Sequence, residues 1–198
     1  MSIVQAKLLP VPSAAGLYSR PVTAVFDYDF YIEEYDRTAG IRVVPFAMPE
    51  GLSPSETVEV AGVLSVIDGE RCLWSAAVLR LGYRAVKPVG LTLKALGGGD
   101  WLFNPATYAG QQGVAGACGL NNIGLLVRVC GTVTWVDADN HLYYLDDGSG
   151  VDDGSGHSGV RVITWGQLPV QWSAVAVTGV SSCYHSGPDL HRLLRQRY

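Results

Sequence analysis

A chain of 198 residues with a formal net charge of −4 has no bulk attraction for polyanions, so contact with nucleic acid would have to come from a local basic patch. Its 48% hydrophobic content excludes a disordered chain, and 24 Gly with 10 Pro interrupt it too often for a helical bundle. The remaining class is an all-β globular protein, long enough for two cores of roughly 90 residues each.

From the N-terminus, Met1 to Leu17 holds a single Lys, two prolines and no continuous apolar run. This fits neither a secretory signal nor a membrane span, and no membrane association is expected. A Pro-containing segment of this kind can add to a neighbouring subunit's sheet edge, which predicts a homo-oligomer joined through the N-terminal arm.

Five strands are predicted next. They centre on Val22-Thr23-Ala24-Val25, Phe30-Tyr31-Ile32-Glu33-Glu34, Ala39 to Val44, Val58 to Val63, and Arg71 to Leu81. Ile41-Arg42-Val43 alternates with period 2, the mark of a strand with one buried face. Phe46 to Ser55 contains prolines and reads as a loop. Residues from Gly82 to Asn122 form a Gly-rich connection longer than an ordinary loop. Trp101, Phe103 and Tyr108 are poor choices for a free linker, so this segment is expected to wrap over both halves.

The pattern then repeats. Val133-Thr134-Trp135-Val136, Tyr143-Tyr144-Leu145-Asp146-Asp147, Ser158-Gly159-Val160-Arg161-Val162-Ile163, Val175 to Val180 and Asp189 to Leu194 follow the order and chemistry of the first half. Trp165 to Trp172 is the counterpart of the Phe46–Ser55 loop. Five short strands avoid exposed edges best by closing into a barrel, with sandwich-type packing as the alternative.

The motif Gly119-Leu120-Asn121-Asn122-Ile123-Gly124-Leu125-Leu126-Val127-Arg128, then Gly131-Thr132-Val133-Thr134, Tyr144-Leu145-Asp146-Asp147-Gly148-Ser149-Gly150 and Val177-Thr178-Gly179-Val180, resembles bacterial tandem OB-fold (nucleic-acid-binding-domain-like) modules. Val22-Thr23-Ala24 and Phe30-Tyr31-Ile32 resemble the companion module, and the likeness runs from about Gln5 onward. The resemblance implies two tandem five-stranded OB-fold-like barrels from a duplicated module. The first module with its arm takes residues 1–81, the connection 82–122 and the second module 123–198. Such modules often end larger exported proteins, which implies an extracellular or cell-surface location. Met1 as the native start implies the cytoplasm instead. Pro21, at the start of a strand, departs from the pattern and bears on the first strand's pairing.

If Ile32 and Ile41 point inward, alternation turns Tyr31 and Arg42 outward, and the repeat does the same for Tyr144 and Arg161. Strands two and three are the face on which OB folds meet oligonucleotides or oligosaccharides. An aromatic and an Arg per module make a stacking platform with phosphate contacts, and Arg128 on Val127-Arg128-Val129 joins them as a nucleic-acid-binding candidate. A second reading stays open: Glu33 and Asp146 share that face, so the arginines form cross-strand ion pairs and the tyrosines pack between strands.

Arg71, Arg80, Arg84, Lys87 and Lys94, with Arg192, Arg195 and Arg197, form either a basic surface or solvated linker charge. Asp137 to Asp153 holds six aspartates and no base, yet Val151 interrupts the EF-hand order and no Glu follows at the right distance. A flexible acidic loop, with no metal, is the expectation. Cys72, Cys118, Cys130 and Cys183 are widely spaced, without zinc-ligand spacing, and fit buried thiols or disulfides equally. His141, His157, His185 and His191 lie in no catalytic motif, so neither catalytic residues nor a cofactor are assigned. Two functions follow: a non-catalytic single-stranded nucleic-acid-binding protein that self-assembles into a filament or coat, or a cell-surface adhesive module that binds protein or glycan.

Overall fold

In the computed structural model, which describes residues 1–198, about 50% of residues are strand and 4% helix. The chain is all-β. Its first half contains α1 (Ile3–Lys7), β1 (Ala14–Val25), β2 (Phe30–Glu33), β3 (Gly40–Pro45), β4 (Glu56–Ile67) and β5 (Glu70–Tyr83). The five strands close into a barrel in the order β1-β2-β3-β5-β4. Every pairing is antiparallel except that of β3 with β5. Phe30 and Ile32 from β2, Ile41 and Val43 from β3, and Leu73 from β5 meet in one buried core, as period-2 alternation requires. Pro21 sits within β1 opposite Thr57, just after a register shift at which Ser19 takes φ 53°. The irregularity accommodates a residue that has no N–H to donate.

The N-terminal segment departs from expectation. Ser2 and Gln5 form a capping box that starts α1, each side chain bonding the other's backbone N–H. Ile3 and Ala6, three residues apart and fully buried, join the barrel core. The Arg71 guanidinium binds the Leu9 carbonyl at 2.9 Å, and Val11 N–H donates to Thr107. The segment is thus tied to its own chain, because its apolar residues find a core within reach.

The connecting segment contains β6 (Val89–Gly90), a 3₁₀ turn (Leu93–Ala95) and the hairpin β7 (Trp101–Asn104) with β8 (Ala109–Gln111). It bonds to both halves. Gln111 holds Arg71 N–H and the Gly69 carbonyl, while Ala115 N–H donates to Leu190.

The second half comprises β9 (Leu126–Asp137), β10 (Leu142–Asp146), β11 (Val160–Ile163), β12 (Ala174–Ser186) and β13 (Asp189–Gln196). With β6 they form a six-stranded sheet in the order β10-β11-β13-β12-β9-β6, and β10 also pairs with β9. The β11–β13 pairing is parallel, as β3–β5 is in the first half. Tyr31 lies directly opposite Arg42 on β2 and β3, and Tyr144 directly opposite Arg161 on β10 and β11.

The modules meet closely at two glycines. A Cβ on Gly40 would lie 2.1 Å from the Gly124 carbonyl oxygen, and Gly124 itself has φ +96°, so side chains are excluded from both positions.

Candidate binding face of the second module

Alternation turns Tyr31 away from the first core, as expected, but not toward solvent. Tyr31 is fully buried beside Ala24, Phe26 and Val180, the last from β12. Its hydroxyl donates to Glu70 Oε2 at 2.8 Å and accepts from Arg195 at 3.1 Å. Ser182 Oγ donates to the same Glu70 oxygen at 2.9 Å. Asp29 accepts from Arg195 at 2.9 Å and from Arg42 Nε at 2.8 Å. Burial pushes the Glu70 carboxyl upward, and the neighbouring arginines and hydroxyls only partly offset this. Tyr31 and Arg42 therefore belong to the junction between modules and offer no open stacking surface. The ion pair of Arg42 also differs from the one anticipated: its partner is Asp29, just before β2, while Glu33 accepts from Leu126 N–H across the junction.

In the second module the equivalent face is covered by its own β10–β11 loop, residues 147–159. Tyr143 and Leu145 point into the second core, which leaves Tyr144 on the outer face. Trp135 on β9 pairs with Tyr144, their rings 6.0 Å apart and edge to face. Arg161 Nε donates to the Tyr144 hydroxyl at 3.1 Å, and its guanidinium lies 4.2 Å from the centre of the Tyr184 ring.

The loop adds two groups to this platform. His157 stacks on Trp135 at 3.9 Å and 15°. Asp153 accepts hydrogen bonds from the hydroxyls of both Tyr144, at 2.7 Å, and Tyr184. Burial alone would raise the Asp153 carboxyl, but bonds from Ser155, Tyr184 and Tyr144 win and bring it down to about 2. Ser158 and Val151 anchor the loop, the former accepting from Thr134 Oγ1 at 2.6 Å and the latter from Gly159 N–H at 2.9 Å. Asp146, expected on the same face as an ion-pair partner for Arg161, instead accepts from Gly148 N–H in a local turn.

Arg128 is exposed and donates to Thr178. Seven residues along β9 separate it from Trp135, roughly 23 Å at strand rise, so it does not join this face. Several of the other basic residues are taken up within the fold. Arg71, Arg192 and Arg195 are buried, Arg80 pairs with Glu56, and Arg84 lies over the Tyr35 ring. All four cysteines are free thiols, Cys72 and Cys183 buried, Cys118 and Cys130 exposed. No three of the His, Cys, Asp and Glu side chains form a group able to hold a metal ion.

Trp135, Asp153, His157 and Tyr184 were missed as site residues. Alternation alone would turn Trp135 inward with Val133, two residues earlier and in the second core, and a register shift between the Tyr144–Trp135 and Leu145–Val133 pairs is what brings it to the outer face. No model of a protein family matches the chain, and no curated protein sequence matches it.

Proposed function

We propose that the chain is a non-catalytic protein of two OB-like barrels, and that the β10–β11 face of the second module binds single-stranded nucleic acid when the 147–159 loop moves aside. One observation carries this reading: the loop already satisfies the face in the way a nucleotide would. The His157 ring takes the place of a stacked base on Trp135, and the Asp153 carboxylate takes the place of a phosphate oxygen between two tyrosine hydroxyls, near Arg161. A net charge of −4 then suits a binder whose affinity is local and gated. The returning pairing of β10 with β9 and the parallel β11–β13 pair support the same barrel topology in both modules.

Titrating a fluorescent oligothymidylate at low salt tests the reading. A variant with Asp153→Ala and His157→Ala should bind more tightly than wild type, because the loop no longer competes. If the opened variant binds no oligonucleotide, or binds an oligosaccharide instead, the nucleic-acid reading is wrong.

A second reading, protein binding or self-association, is favoured by a different surface. Val63, Trp74, Leu79 and Leu81 on β4 and β5, with Phe46 at 86% exposure, leave large apolar side chains in solvent. Concentration-dependent light scattering of wild type against Trp74→Glu and Leu79→Glu separates this reading from the first.

A further inference from the structure

We infer a second ligand site, independent of the β10–β11 face, in the cleft between α1, the β2–β3 turn and the connecting segment, and that it takes an amphiphilic anion with an apolar body and a single carboxylate head. The cleft has a volume of about 670 Å³, within the range of small-molecule sites. Its walls are mainly apolar, with Val4, Val89, Leu91, Leu120 and Trp101 among them. The charged side chains that line it are Lys7 and Arg37; no carboxylate does.

Lys7 supplies the second argument. It is 3% exposed, and its ammonium donates to the Ile123 carbonyl at 3.0 Å, which leaves two of three N–H bonds without an acceptor. Glu70, whose charge is felt at Lys7, is bonded to Tyr31 and Ser182 and makes no ion pair with the lysine. Burying an incompletely paired ammonium is costly, and Met at this position would fill similar space without that cost. Desolvation lowers the Lys7 pKa to about 8, so the ammonium still carries its charge at neutral pH, and an anion beside it would stabilise that charge and raise the value again. Leu120, 89% exposed at the rim, gains a partner when an apolar body occupies the cleft.

Calorimetric titration of the full chain with sodium dodecanoate and with dodecan-1-ol tests this. Wild type should bind dodecanoate at least about tenfold more tightly than the alcohol, the difference expected of a charge-assisted hydrogen bond. Lys7→Met should bind the two ligands alike. Leu120→Glu, a change at an exposed position that leaves the core intact, should weaken dodecanoate more than the alcohol. Absence of dodecanoate binding, equal binding of both ligands to wild type, or a preference that survives Lys7→Met would each overturn the assignment.

Discussion

Tyr31 and Tyr144 occupy the same position in the two modules, each opposite an arginine, yet their hydroxyls donate to carboxylates of different origin. Tyr31 reaches Glu70 inside the junction, while Tyr144 reaches Asp153 on a surface loop. Each half thus carries one aromatic residue and one arginine side by side on neighbouring strands. In the first half this face is consumed by packing against the other module, with Arg195 and Ser182 completing its polar bonds. In the second half only a loop covers it, and a loop can move at far lower cost than a module junction.

The junction should therefore be sensitive to loss of one charge. Arg195→Met leaves Asp29 with one arginine and the Tyr31 hydroxyl without its donor, all in buried surroundings. A loss of about 3–5 kcal/mol in urea unfolding is expected, against less than about 0.5 kcal/mol for the exposed Arg128→Met. Equal effects of the two substitutions would show that the network does not hold the modules together.

Glu33 gives the junction a pH dependence. Burial raises its carboxyl to about 8, against an opposing bond from Leu126 N–H, and its second oxygen has no partner. The folded state thus holds a proton that the unfolded state releases near the ordinary carboxyl value of 4.5. Stability from this group is fully present below that value and is lost as pH rises toward 8, by at most about 1.4 kcal/mol per pH unit. Lys7 acts in a separate window with the opposite sign, since its lowered pKa of about 8 makes stability rise between about 8 and 10.5. Glu33→Gln should flatten the fall between pH 5 and 8 in denaturant melts, using the carboxyl's raised value as the upper limit. A slope unchanged in that variant would assign it to other groups.

The N-terminal segment should behave as part of the first core. Ile3 is fully buried there, so Ile3→Ala should cost about 2–5 kcal/mol, whereas an arm serving only a neighbour would leave the monomer's stability unchanged. Thermal melts at several protein concentrations distinguish these outcomes.

Strand alternation was legible because Phe30, Tyr31 and Ile32, like Tyr143, Tyr144 and Leu145, turn successive side chains to opposite sides. Alternation names a face, however, and not what lies on it. Tyr31 is covered by residues of β12 and β13 about 150 positions later, a distance over which local pattern carries no information. Arg195 reads as surface charge for the same reason, its partners Asp29 and Tyr31 being far away in the chain. The five residues of α1 are too few for a helical period to show. His157 and Asp153 lie in a Gly/Asp/Ser run whose composition predicts a loop but not its docking on Trp135 and Tyr144.

The binding face can be dissected in the opened Asp153→Ala, His157→Ala background, where the loop no longer competes for Trp135. Trp135→Ala should then cost on the order of 1–3 kcal/mol in oligothymidylate affinity, the range for one lost base stack, with little change in salt dependence. Arg161→Gln removes a cation beside Tyr144 and Tyr184, so affinity should fall and the log–log salt slope should flatten by about 0.7, the value for one phosphate contact on a single strand. Arg42→Gln makes the contrast: Arg42 is paired with Asp29 at the junction, so its loss should lower stability and leave the affinity of the folded protein unchanged. If Arg42→Gln weakens binding as much as Arg161→Gln while the fold persists, the ligand meets the first module, and the division of labour between the two halves is wrong.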